Sequence, residues 1–393
     1  MSAFLFVVPP LTGHINPAVG IAGRLAAHGH RVAWACADPA LVRRLAGPDT
    51  VVFRCAGPVP GAGDAVRPPE LRGVEALKYL WEGYLLPLAD AMAPGVRAAV
   101  AGFRPDVVVA DQQAFAGALV AEHLGLPWAT SATTSAEFTG AYDGLPKVAD
   151  WLHRRLAGLR TRVGDPSGTA DPRFSPHLLL IFSTPGLIGP QAPSAPHIRY
   201  VGPSLTGRPA GPGFPWDRLD PGRAKVLVTL GTANADAGGR FLTACLTALR
   251  ARADRVQAVI ADPAGTLPAT PDDKDALILP SVPQLPLLER MDAVVCHAGH
   301  NTVCEALWHG VPLVVAPIRD DQPVVAGQVV DSGAGLRVRF GRVTADRLGE
   351  ALDTVLHDHA HRAAAARIRA AFRAAGGARA AAAHLERMAG ESR

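Results

Sequence analysis

A chain of 393 residues exceeds what one hydrophobic core usually organises, so two domains are expected. With 48% hydrophobic and 19% charged residues it has the make-up of a globular α/β protein, and its formal charge of +4 is spread without a run of five basic residues, which argues against a nucleic-acid groove. Five scattered cysteines (Cys36, Cys55, Cys245, Cys296 and Cys304) include no C-x-x-C pair; this disfavours a disulfide frame or a zinc cluster and makes a reduced compartment, the cytoplasm, the default. The start has no positive n-region and its apolar stretch is short, so it does not read as a signal peptide. No segment offers the roughly 20 apolar residues of a membrane span.

In chain order, residues 4–8 form a short apolar run ended by Pro9-Pro10, a helix-like stretch covers 17–28, and 31–35 reads as a second strand. A helical segment follows near 74–92. The unit then recurs as a strand at 106–110, a helix at 115–123 and a strand at 128–131, with another helical segment near 148–159. Residues 60–70 and 164–176 are rich in Pro, Gly and Asp and read as loops. The Pro/Gly-dense stretch 202–222 lacks hydrophobic periodicity and reads as a linker.

After it the pattern restarts: strand 225–230, helix 240–252, strand 256–261, then short apolar strands at 277–279, 293–296 and 313–315, with a helix over 302–309. Strands alternating with helices in both halves predict two Rossmann-like parallel-sheet domains facing each other across a cleft. Beyond Asp358 an Ala/Arg-rich helical tail is broken by Gly376-Gly377.

The segment 296–322, CHAGHNTVCEALWHGVPLVVAPIRDDQ, holds the clearest chemistry. A buried strand ends at Cys296, a tight loop follows, and a helix starts near Thr302. The first turn of such a helix offers unpaired N–H groups and a positive dipole end, a ready anion site. Gly299 permits close backbone approach, and His297, Asn301 and Thr302 add side-chain donors, so a diphosphate fits without a metal. Glu305, one turn on, is better suited to the two hydroxyls of a ribose. The plainer alternative is a helix capped by Asn301 or Thr302 with Glu305 at the surface.

This segment resembles the donor-binding signature of the family 1 inverting glycosyltransferases, which include plant UDP-glycosyltransferases and bacterial antibiotic and macrolide enzymes. The plant form begins H-C-G-W-N-S and ends in D-Q; here it reads His297-Ala298-Gly299-His300-Asn301-Thr302, then Glu305, then Asp321-Gln322. The resemblance implies a GT-B fold, with His297, Asn301 and Thr302 on the diphosphate, His300 at the position of the plant tryptophan, Glu305 on the ribose, and Asp321 and Gln322 on the transferred sugar. Ser281-Val282-Pro283-Gln284 corresponds to the family's W-x-P-Q around the base, with Val282 replacing the aromatic residue and Gln284 in place. Gly231-Thr232 follows a strand where the family places a small hydroxyl residue near the phosphates.

In the first half, Gly13-His14-Ile15-Asn16-Pro17 links the first strand to the first helix. His14 is thereby set at the carboxyl end of a parallel sheet, where ligands usually bind. Imidazole suits proton abstraction at neutral pH, and the family's G-H-x-x-P carries its base here; a solvated loop histidine is the alternative. Asp111 ends its strand on the same edge and aligns with the Asp that partners the family's base, while Asp106 begins that strand and points to the opposite edge. Asp111 could instead cap the following helix. Thr133 and Thr134, after the strand 128–131, are placed to touch the sugar.

The resemblance divides the chain into an acceptor-binding domain (1–205), a linker (206–222), a nucleotide-sugar-binding domain (223–370) and a helical tail (371–393) that packs back on the first domain. The implied reaction moves a hexose from UDP-glucose or a dTDP-deoxysugar to a hydroxyl of a small lipophilic natural product, such as a polyketide or macrolide, with inversion. No cofactor, metal, nucleic-acid partner or stable membrane association is expected, and the protein would be a monomer or homodimer. A dehydrogenase would require G-x-G-x-x-G where G-H-I-N-P-A-V-G stands. The D-x-D at Asp273-Lys274-Asp275 sits in a loop and reads as solvated charge. A membrane-surface transferase would need an amphipathic patch, for which residues 151–156 are the one candidate. A non-catalytic sugar-nucleotide-binding partner would lack the His14–Asp111 pair.

Overall fold

The computed structural model describes residues 1–60, 71, 73–140, 144–209, 211–231, 238–268, 270 and 272–391. The chain forms two compact units, one of Met1–Thr184, Gln191–Pro209 and Ala375–Arg393, the other of Pro185–Pro190 and Ala210–Ala374.

In the first unit, seven parallel strands are β1 (Ala3–Val7), β2 (Arg31–Cys36), β3 (Val52–Arg54), β4 (Val107–Asp111), β5 (Trp128–Ala132), β6 (Leu178–Ile181) and β7 (Ile198–Tyr200), in the order β3-β2-β1-β4-β5-β6-β7. Period-two alternation gives each face its own core. Leu5, Val7, Val108 and Ala110 pack under the helices Leu86–Phe103, Phe115–His123 and Pro146–Val163; Phe4, Phe6, Val107 and Val109 pack under Thr12–Ala27 and the last helix, Gly377–Glu391. Strands buried on both faces read as unbroken apolar runs, and burial of each large side chain contributes about 1.5–3 kcal/mol.

The first helix begins at Thr12, five residues before the expected start at Pro17. Pro17 lies inside the helix and has no N–H to give to the Gly13 carbonyl, so one intrahelical bond is missing there. Residues 73–103 run on through a π-helical stretch, Tyr79–Leu85, and past Pro94-Gly95. Gly95 lets this helix approach Cys55, 2.9 Å from where a β-carbon would stand. Trp81 and Tyr84 on the π-helical stretch are buried in the core, with Phe53 and Trp151 packed against it. Leu152 and Leu156 also face this core and Arg155 pairs with Glu82, so the apolar side of 151–156 is turned inward.

The second unit holds β8 (Ala224–Thr229), β9 (Val256–Ala261), β10 (Ala276–Leu279), β11 (Ala293–Cys296), β12 (Leu313–Val315) and β13 (Gly335–Arg337), all parallel in the order β10-β9-β8-β11-β12-β13. One face (Val226, Val228, Ile260, Val295) packs on the helices Gly239–Arg250 and Ala345–His357; the other (Leu227, Val259, Val294, Val315) packs on His300–His309, Gln322–Asp331 and His359–Ala375.

Both sheets reverse their winding after their third strand, β3 and β10, which puts the switch points between β1 and β4 and between β8 and β11. At such a switch point the connections leave in opposite directions and open a crevice at the carboxyl edge. Among the described residues no helix is long and apolar enough to cross a membrane.

Candidate active site

At the β1/β4 switch point, β1 delivers His14 in the first turn of the following helix and β4 delivers Asp111 as its last residue. Nδ1 of His14 lies 2.9 Å from Oδ1 of Asp111, whose side chain is wholly buried while that of His14 is 16% exposed. The Gln113 N–H donates to the same carboxylate oxygen at 2.8 Å. An ionised carboxylate only accepts, so the contact places the ring proton on Nδ1 and the basic lone pair on Nε2. Thr133, just beyond β5, is buried, with Oγ1 3.0 Å from Asp111 Oδ2 and 2.8 Å from His14 Nδ1. It belongs to this cluster, a neighbourhood the sequence did not disclose. Asp106 accepts the Ala3 N–H at 2.7 Å, at the amino edge of the sheet.

At the β8/β11 switch point the loop after β11 is built around the His297 ring. Gly231, two residues beyond β8, has φ +68°, and a β-carbon there would stand 2.7 Å from His297 Cε1; one at Gly299 would collide with Nε2 of the same ring. Two glycines therefore clear the space for one buried imidazole. Burial, partly opposed by the Thr229 carbonyl and reinforced by the Arg319 guanidinium, lowers the His297 pKa to about 4. At neutral pH the ring is an uncharged donor of one N–H. Between the two residues, wholly buried Ala298 has φ +65°, a left-handed conformation that costs a non-glycine residue energy and is concentrated at ligand-binding turns. Thr232 lies outside the described residues.

The helix starts at His300, two residues earlier than expected, with Gly299 at its N-cap and no side-chain cap. Neither Asn301 nor Thr302 caps it; both lie in its first turn, where helix geometry directs the N–H groups off the end. The first intrahelical bond runs from Val303 N–H to the Gly299 carbonyl, at 3.0 Å. His300 is buried with Nε2 3.5 Å from Cys304 Sγ, so its ring lies along its own helix. Glu305 is buried rather than on the surface, and accepts from Gln284 Nε2 at 2.5 Å.

Oε1 of Gln322 accepts from the Ile318 and Arg319 N–H groups at 2.8 and 3.1 Å, bracing the loop before the helix Gln322–Asp331; Asp321, its N-cap residue, is half-buried. Val282 packs on the same apolar cluster as Phe214, Trp216 and Trp308, and Gly211 lies against Pro283. The sequence reading missed Arg319 and the Phe214–Trp216 pair, whose ring centroids are 4.7 Å apart. The aromatic spacing within the Pro/Gly-dense stretch was the available signal. Asp273 and Asp275, the D-x-D acids, pair with Arg250 and Arg223.

Two parallel sheets, each with polar side chains converging at its switch point, are the architecture of a GT-B glycosyltransferase. Residues 253–388 match the family described as the erythromycin biosynthesis protein CIII-like C-terminal domain. The chain is 30% identical to 4'-demethylrebeccamycin synthase of Lentzea aerocolonigenes, over 93% of this chain and 94% of that protein. It is 29% identical to demethyllactenocin mycarosyltransferase of Streptomyces fradiae, over 96% and 84%. The crystal structure of the glycotransferase of kitacinnamycin superposes with a TM-score of 0.82 at 27% identity, covering 98% of each chain. The chain belongs to the family 1 glycosyltransferases of GT-B fold and is an enzyme of their antibiotic and macrolide type.

Proposed function

We propose that the enzyme transfers a hexose from a nucleoside diphosphate to a hydroxyl of a small lipophilic natural product in one displacement with inversion, His14 acting as the base. Nε2 of His14 takes the acceptor proton as the acceptor oxygen attacks the anomeric carbon. The bond from that carbon to the phosphate oxygen breaks, and the nucleoside diphosphate leaves with the additional negative charge. Asp111 orients the ring and stabilises the imidazolium that forms.

The first turn of helix His300–His309, neutral His297 and the side chains of Asn301 and Thr302 receive the diphosphate; donors fixed beforehand need no reorganisation as charge develops. Glu305 takes the ribose hydroxyls, with Gln284 holding one carboxylate oxygen, and Asp321 with the Gln322 amide takes sugar hydroxyls. Gly231 and Gly299 provide the backbone approach, and Val282 borders the base. UDP-glucose is the first donor to test and a dTDP-deoxysugar the second. The relatives named as a rebeccamycin-type synthase and a mycarosyltransferase support a natural-product acceptor.

The observation that carries this reading is the 2.9 Å contact between His14 Nδ1 and the buried Asp111 carboxylate at the sheet's switch point. It is tested with His14→Ala: turnover should be lost while calorimetry still shows UDP or dTDP binding with near-native affinity. Turnover at the native rate in that variant would refute the role of His14.

A further inference from the structure

We infer that Thr133 is a positioning residue for the base, the third member of a closed hydrogen-bonded triangle with His14 and Asp111; the inference rests on the reading of His14 as base. Register explains how it arrives there. Asp111 pairs with Ser131 across β4 and β5, and paired residues share a face, so residue 133, two further along, lies on the face of Asp111 one step beyond the sheet edge. β1, β4 and β5 are consecutive in the sheet, and each supplies one corner.

The protons can be counted. Oδ1 of Asp111 accepts the Gln113 N–H and faces His14 Nδ1; Oδ2 faces the Thr133 hydroxyl at 3.0 Å. Because the carboxylate only accepts, the single hydroxyl proton of Thr133 goes to Oδ2. Its lone pair is then turned to Nδ1 at 2.8 Å. Both contacts at Nδ1 are satisfied only when that nitrogen carries the proton. A threonine oxygen and a carboxylate oxygen thus grip one N–H from two directions, which fixes the plane of the ring as well as its tautomer. In the transition state the same two oxygens face the imidazolium. A valine at this position would fill the space, but would leave Oδ2 buried without that donor and Nδ1–H with one acceptor fewer.

The test compares Thr133→Val, Thr133→Ser, Asp111→Asn and the double variant Asp111→Asn/Thr133→Val. The readout is release of nucleoside diphosphate from UDP-glucose or dTDP-glucose, with 4-methylumbelliferone or water as acceptor; thermal melting checks each fold. Thr133→Val should lower kcat about 10- to 100-fold, the loss of one hydrogen bond to a charged group, with donor KM changed less than about twofold. Thr133→Ser, which keeps the hydroxyl, should stay within about threefold of native. On the Asp111→Asn background the valine should cost less than about twofold more, because its effect passes through that carboxylate.

A loss that multiplies in full on Asp111→Asn, or that falls on donor KM, would show instead that Thr133 meets the sugar directly. A serine variant as impaired as the valine one would reduce Thr133 to a packing methyl. Either result overturns the proposal. His14→Ala, assayed alongside, separates this from the parent reading: turnover retained there refutes the base whatever residue 133 does.

Discussion

The imidazole of His297 occupies the space that a β-carbon on Gly231 would need, with Cε1 2.7 Å from that point. Gly231 also has φ +68°, so alanine meets both backbone strain and the ring. Gly231→Ala is expected to push the imidazole aside and weaken UDP or dTDP binding about tenfold or more, read by calorimetry. Native affinity in this variant would remove His297 from the diphosphate site.

His297 also predicts an acid dependence of stability. Below about pH 6.5 the unfolded chain protonates this residue, whereas the folded chain does so only near pH 4. Between those limits the unfolded state holds more protons, so stability falls as the pH drops through the window, by about 3 kcal/mol at most. His297→Asn should flatten that part of the curve of melting temperature against pH. Burial depresses His384 and His309 as well, and the difference between the two proteins isolates residue 297.

Asp111→Asn keeps the shape of the dyad but supplies no negative charge to the imidazolium. We expect kcat to fall about a hundredfold or more, with donor affinity nearly unchanged. A drop confined to KM would contradict the assignment.

In the proposed reaction the charge of the departing diphosphate would be met by the backbone dipoles at the start of helix His300–His309, by the uncharged His297 ring and by the Arg319 guanidinium that acts on that ring. Turnover is therefore expected to survive dialysis against a chelator. Activity lost on chelation and restored by Mg²⁺ would falsify this electrostatic account.

Much of this was legible in the sequence because parallel strands buried on both faces write themselves as apolar runs; residues 256–261 and 293–296 were bounded correctly. Strand direction put His14 and Asp111 on the same carboxyl edge, and the family resemblance supplied their pairing. Thr133 could not be assigned to them, because the register between β4 and β5 is set by packing rather than by composition. The helix start at His300 was missed for a local reason: the cap is Gly299, not the neighbouring Asn301 or Thr302 that cap preference favours. β3, β7 and β13 are three residues each, only partly buried and interrupted by arginine, so they lack the unbroken apolar run that made the equally short β12 readable.

The last helix, Gly377–Glu391, is built into the first unit: the Gly377 N–H donates to the Val201 carbonyl at 2.7 Å, Glu386 meets His28 at 2.7 Å, and Leu385 and Ala381 complete the core around Phe4 and Phe6. A clone that stops at Pro209 would strip that layer and leave the apolar side of helix Thr12–Ala27 exposed to water. Any exchange of the first unit between related enzymes thus requires the final 19 residues to travel with it, although the sequence places them at the far end.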